Sequence, residues 1–489
     1  MSSKSKVAII GSGFSGLSAA CYAAKAGHEV HVYEKNDSIG GRARKFKTSN
    51  GYTFDMGPSW YWMPDIFDEF FQDFGYKTSD FYQLKRLDPQ FEIVFQEENV
   101  EFPNAVEQMI VLFESIEKGA GNQLQLFFEE AKKKYEIGMK QFVTKPCHSW
   151  FEFLSVSMAV SAIKLDLLSN YRSYVGSYFK HPYLRAIMEF PVIFLGASPK
   201  NIPALYSLMN YGGYHLGTWY PMGGFFEVIK AMEKIAINLG VKFHLNSKVE
   251  RIHTRNHTVE SLSINNEIHF FDKIIASSDY HHTEKLLPKH LRNYTDEYWK
   301  KKTFAPSCLI FYLGINRKLP NLTHHTLFFE NELDQHIEEI YSNRKWPKEP
   351  LFYLCCPSKT DPTVAPIGHE NLFLLMPIAN DLEDDEETRA FYLDQMIDRI
   401  EKKIGVQQLK SSIDFQRSYC LEDFKSDYNA YGGNAYGLAN TLKQTAVLKP
   451  SIKNKKLKNL FYTGQLTVPG PGVPPSIISG KIVANELNK

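Results

Sequence analysis

Lys6-Val-Ala-Ile-Ile10-Gly11-Ser-Gly13-Phe14-Ser15-Gly16, followed by a run of small residues to Gly27 and then His28-Glu-Val-His-Val-Tyr33-Glu34, decides the fold. Residues 6–10 read as a short buried strand, 11–16 as a glycine turn, 17–26 as a helix and 28–33 as a second strand. Strand, turn, helix, strand and acid in that order open a dinucleotide fold. Gly11 permits the tight turn, Gly13 lets backbone amides approach a pyrophosphate, and Gly16 lets the helix pack closely on the sheet. The helix start at Phe14 and Ser15 turns its partial positive charge toward the phosphates. Glu34 follows Gly16 by 18 residues, where a carboxylate accepts from ribose hydroxyls, and Lys35 lies beside it.

Composition bounds the rest. A length of 489 residues fits about three structural units. Hydrophobic residues at 43% and charged ones at 23% describe a globular protein and exclude a membrane-embedded transporter. With 56 basic against 55 acidic side chains, no global field exists to hold nucleic acid. Aromatics reach 14%, which fits a large apolar ligand and equally an aromatic-rich core. Six cysteines without a CxxC pair fit a reducing cytoplasm, and Cys355-Cys356 reads as two strand residues facing opposite sides. The doublets His281-His282 and His324-His325 lack a ligand-type spacing, so no metal is expected. The N-terminus has no apolar export segment, so the three Asn-X-Thr matches are chance.

After the second strand, Ser38-Ile-Gly-Gly41-Arg42-Ala-Arg44 supplies two glycines and a fixed cation for a second phosphate contact, which separates a flavin dinucleotide from a nicotinamide one. Gly57-Pro58-Ser59 is a turn, followed by the aromatic run Trp60-Tyr61-Trp62. That run reads either as a ligand wall or as a loop packed on the core. Residues 103–218 are helical in period, and 151–168 is apolar but broken by Glu152, Lys164 and Asp166, too short a run to span a bilayer. It reads either as an interfacial helix or as a buried cap helix. Alternating α/β texture returns after Trp219-Tyr220-Pro-Met-Gly-Gly224. Strand-like runs at 308–313, 325–329, 351–355 and 371–375 form a mainly antiparallel sheet, with one charged helix whose first turn is Asp381 to Glu387. The chain closes with a strand at 458–462, the turn Thr463-Gly464-Gln465, a Pro/Gly run through Gly472-Val473-Pro474, and a helix over 476–487. This last helix start is a second positive terminus, suited to the anionic end of a reduced flavin. Lys453, Lys455, Lys456 and Lys458 read as a solvated turn or a lipid-touching patch.

In order along the chain, GSGFSG (11–16), Glu34, GGRAR (40–44), FDMGPS (54–59), WYPMGG (219–224), Tyr428-Asn-Ala-Tyr431, GNAYGL (433–438) and GQLTVPGPGVPPSIISGK (464–481) resemble the bacterial-type phytoene desaturases of the flavin amine oxidase-like superfamily. The resemblance implies non-covalent FAD, a C40 polyene substrate and a peripheral enzyme of the inner membrane face, reoxidised by quinone or oxygen. It implies an α/β fold: a discontinuous Rossmann-like FAD domain (1–75, 219–290 and 421–489), an antiparallel-sheet substrate domain (76–102 and 291–420) and a helical, membrane-facing cap domain (103–218). Expected cofactor contacts are Gly11, Gly13, Phe14, Ser15, Gly16, Glu34, Lys35, Gly41, Arg42, Gly57, Pro58, Ser59, Val249, Gly464, Gln465, Gly472, Val473 and Pro474. Gln465 stands where superfamily amine oxidases often carry an acid, which weakens an amine-oxidase reading.

The expected reaction is loss of a hydride to the flavin and of a proton to a base, converting phytoene toward neurosporene or lycopene. Trp60, Tyr61, Trp62, Trp219 and Tyr220 are the expected polyene walls. Glu152, an isolated acid in an apolar stretch, is the nominated base, ahead of Asp55. Three other readings stay open: a desaturase or ketolase acting on a later, hydroxylated carotenoid; an amine oxidase, against which the aromatic run speaks; and a carrier that binds flavin and lipid without turnover.

Overall fold

The computed structural model describes residues 4–149, 152, 169–193, 196 and 198–487, so most of the apolar stretch 151–168 lies outside the described residues. A parallel sheet of five strands orders Leu460–Tyr462, Lys273–Ala276, Lys6–Ile10, Glu29–Tyr33 and Lys242–His244. Its strands come from both ends and the middle of the chain, and Val7, Ile9, Val30 and Val32 are buried, as a parallel sheet covered on both faces requires. The helix Phe14–Lys25 crosses beside the last helix, Val473–Glu486. Their backbones approach closely enough that Ser18 Oγ donates to the Ile477 carbonyl at 2.6 Å. A Cβ on Gly16 would come within 2.2 Å of the Gly11 carbonyl oxygen, so the turn and the helix touch only because residue 16 has no side chain.

A seven-stranded sheet runs Ile413–Tyr419, Ser307–Ile315, Glu370–Ile378, Phe352–Cys355, His325–Phe328, Phe91–Val94 and Asn99–Phe102. All its pairs are antiparallel except His325–Phe328 with Phe91–Val94. Cys355 and Cys356 enter separate hydrophobic clusters on the two faces of this sheet, following the two-residue alternation of a strand. Helices including Val106–Ile116, Ala120–Gly138, Tyr171–Tyr178 and Pro182–Ile193 fill the chain between the two sheets' segments.

The charged helix and the terminal helix start away from where periodicity sets them. The charged helix is Glu386–Ile404, not one opening at Asp381: Asp385 is its N-cap, accepting from Thr388 N–H at 2.8 Å, while Asp384 is drawn back to Arg389. The last helix starts at Val473, three residues early, because prolines 474 and 475 are tolerated in a first turn whose N–H groups lack helical partners anyway.

Candidate active site

A cavity of about 750 Å³ runs between the parallel sheet, the seven-stranded sheet and the helical segment. One limb is polar. It is lined by the glycine turn, Glu34, Lys35, Arg42, Asp279 and the start of the last helix. Neither the helix Phe14–Lys25 nor the helix Val473–Glu486 has a side-chain N-cap bond, so both positive ends are left to whatever occupies the limb. Gly11 sits at φ +98°, in the left-handed region, where a Cβ would stand 3.2 Å from Ser278 N.

Glu34 is positioned by its surroundings. Its Oε1 accepts from Asn36 N–H at 3.0 Å and Asn36 Nδ2 at 2.9 Å, and its Oε2 accepts from Ser12. Arg42 donates to the Asn434 carbonyl at 3.2 Å and lies 4.9 Å from the Tyr428 ring, but its buried Nε takes no partner among the described residues. Burial lowers the Arg42 and Lys35 values below the usual ones and raises that of Asp279, which caps His282 N–H. An unpaired buried guanidinium N–H and two uncapped helix starts in one limb are the donor set of a pyrophosphate, so these residues fit a flavin dinucleotide.

The other limb is apolar. Trp60, Trp62, Met139, Phe142, Leu205 and Leu208 line it. The carboxylates among the described lining residues are Glu34, Asp279 and Asp427, none of them from this group.

Of the expected cofactor contacts, all but Gly16 line the cavity; Gly16 instead faces the turn it packs against. Of the expected polyene walls, Trp60 and Trp62 line it and the other three do not. Residues 60–62 are extended, with Tyr61 bridged to Trp219, so the middle side chain points the opposite way. Tyr61 stacks on Phe67 at 4.1 Å and shares a 2.9 Å hydrogen bond with Tyr82. The Trp219 indole N–H donates to the Leu216 carbonyl at 3.0 Å, and Tyr220 packs 4.8 Å from His324. Glu152 is not among the lining residues: its carboxylate accepts from the N–H groups of Cys147, His148 and Ser149 at 2.6–3.2 Å and closes that loop. Asp55 is likewise engaged, accepting from Phe225 and Phe226 N–H at the start of a helix, and burial pushes it up to about 6. Sequence reasoning missed Ser12 and Asn36, Ser277 and Ser278, and the Met139 to Leu208 wall; Ser12 lies inside the glycine motif and Asn36 beside Glu34 and Lys35, while the wall carries no motif.

A Rossmann-like sheet whose glycine turn and terminal helix share a cavity with an apolar limb defines a flavin-dependent oxidoreductase. The family "Flavin containing amine oxidoreductase" matches residues 14–488. A Haloarcula japonica protein named carotenoid 3,4-desaturase is 39% identical over 98% of this chain and 97% of its own. A Staphylococcus haemolyticus 4,4'-diapophytoene desaturase (4,4'-diaponeurosporene-forming) is 29% identical over 98% of both chains. A crystal structure of an oxidoreductase from Methanosarcina mazei shares the fold, with a TM-score of 0.63 and 16% identity over 99% of this chain and 100% of that one. The chain belongs to the flavin containing amine oxidoreductase family and, within it, to the carotenoid desaturases: it is an FAD-dependent oxidoreductase acting on CH–CH groups.

Proposed function

We propose that this protein desaturates an already conjugated carotenoid, at the bond between C3 and C4, with the long polyene lying in the apolar limb. The observation that carries the reading is the continuity of that limb with the flavin limb in one cavity. The 39% identity to a carotenoid 3,4-desaturase along nearly the whole chain supports the late position in carotenoid synthesis. Bound FAD supplies the two-electron acceptor for the hydride leaving the CH₂. Trp60 and Trp62 fix the polyene's approach and exclude water from it. Glu152 and Asp55 both spend their carboxylates on backbone N–H groups, so neither serves as the base. An allylic cation is acidic enough to lose its proton to a neutral acceptor, so the reaction does not require a carboxylate in the apolar limb.

Phytoene is the second reading, favoured by the 29% identity to an enzyme named for diapophytoene. Anaerobic incubation of the purified flavoprotein with lycopene and, separately, with phytoene in liposomes tests both. Bleaching of the flavin by lycopene alone, with a longer chromophore formed, supports the late step. Bleaching by phytoene alone supports the second reading, and bleaching by neither overturns both.

The substrate is lipid-borne, and we propose peripheral association with the cytoplasmic membrane face and reoxidation by quinone or oxygen. No described helix is long and apolar enough to cross a membrane. Flotation with liposomes checks the association: protein left entirely at the bottom of the gradient overturns it.

A further inference from the structure

Two histidines and a cysteine that the chain keeps about 30 residues apart meet at the edge of the cavity wall. His325 and Cys355 are direct partners across the antiparallel strands His325–Phe328 and Phe352–Cys355, and His324 precedes the first strand. One ring nitrogen of each histidine and the Cys355 Sγ lie within 4.8 Å of one another, and all three residues are buried. Each histidine has one nitrogen engaged and one free. His324 Nδ1 is 2.7 Å from Thr360 Oγ1 and His325 Nδ1 is 2.7 Å from the Tyr353 hydroxyl, while both Nε2 atoms are buried without a partner among the described residues.

The tautomer of His325 follows from the next bond. The Tyr353 hydroxyl gives its one proton to Ser59 Oγ, so His325 Nδ1 is the donor to Tyr353 and its Nε2 carries a bare lone pair. Two imidazoles, each oriented by a hydroxyl at Nδ1 and each with Nε2 left over, are arranged as metal-binding histidines are. A leftover lone pair in a dry interior costs free energy that an ion would recover.

We propose that His324 and His325, through Nε2, and Cys355, through Sγ, bind one divalent ion of the zinc class. Three ligands at about 2.0–2.3 Å from a tetrahedral ion stand roughly 3.5 Å apart, so binding draws the side chains together by about 1 Å. The thiolate is the form that binds a metal, so the ion displaces the thiol proton, one proton leaving to solvent per ion bound. The ion would brace the apolar limb: the Trp60 ring lies on His325 at 4.1 Å, and Tyr353 lines the cavity.

The test is a titration of the FAD-loaded protein with Co²⁺ and Zn²⁺, with metal content measured after gel filtration. One equivalent per chain is expected, with a thiolate-to-Co²⁺ absorption band, release of one proton and a raised thermal midpoint. Cys355→Ser abolishes the band, and His324→Gln weakens binding at least tenfold, each judged only in protein that retains its FAD. X-ray absorption on Co²⁺-loaded wild type, which needs no variant, should report one sulfur and two imidazole nitrogens. No stoichiometric binding, a sulfur-free shell, or undiminished binding by folded Cys355→Ser overturns the proposal.

Discussion

Ser12 grips the Glu34 carboxylate twice, its backbone N–H donating to Oε2 at 3.0 Å and its Oγ donating to the same oxygen at 2.7 Å. The second strand is thereby tied to the glycine turn at the point where a ribose must be read. Glu34→Ala removes the acceptor of these bonds and those of Asn36. Bonds to a charged acceptor contribute about 1.5–3 kcal/mol each. Purified Glu34→Ala should therefore carry less than a tenth of the wild-type flavin, read from the absorbance ratio of flavin to protein.

Gly16→Ala should be worse than a cofactor defect. Its Cβ meets the Gly11 carbonyl oxygen, a backbone atom that cannot turn aside. Overpacking of this kind costs about 1–3 kcal/mol or more. A lowered thermal midpoint in the apoprotein is the expected result; an unchanged midpoint would show that the helix shifts freely.

Trp60 and Tyr61 separate the wall from its support. Trp60→Ala should cut polyene turnover at least tenfold while leaving FAD bound, because it removes a cavity surface. Tyr61→Phe keeps the stack on Phe67 and loses only the bond to Tyr82, so turnover should stay within about twofold and stability should fall by about 1 kcal/mol.

Glu152→Gln should retain turnover within about threefold, since the side chain ties three backbone N–H groups and does not face the cavity. Stopped-flow measurement of flavin reduction by the polyene decides it. A loss of a hundredfold or more would return Glu152 to the role of base.

Lys449 gives the protein a pH dependence on the alkaline side. Its Nζ is buried without a partner among the described residues, and burial, with Lys302 nearby, lowers it from 10.5 to about 7. Between those values the unfolded chain holds a proton that the folded one has released, so stability rises with pH from about 7 to 10. Below pH 7 the full cost of charging the buried amine is present. Lys449→Met should flatten that rise and stabilise the protein at pH 6 by up to about 4 kcal/mol. Denaturant midpoints at pH 6 and pH 9 measure both.

The dinucleotide half was written in the sequence, because its requirements are local. A turn at φ +98°, a backbone contact at residue 16 and an acid at the end of the second strand each restrict the residue type at one position. The linear order of the glycine, arginine and proline motifs therefore pointed to the polar limb, while neighbours such as Ser12, Asn36, Ser277 and Ser278 went unnamed. The apolar limb was legible only as an excess of aromatics. Which of Trp60, Tyr61 and Trp62 faces inward depended on the bridge to Trp219, 158 positions beyond Tyr61, and strand alternation then turned the middle ring away. Glu152 stood out for its isolation among apolar neighbours, but a local loop gave its carboxylate to the N–H groups of Cys147, His148 and Ser149 instead. The meeting of His324 and His325 with Cys355 has no local signature at all: it arises from strand register, which two distant segments settle jointly when they pair and bury their shared face.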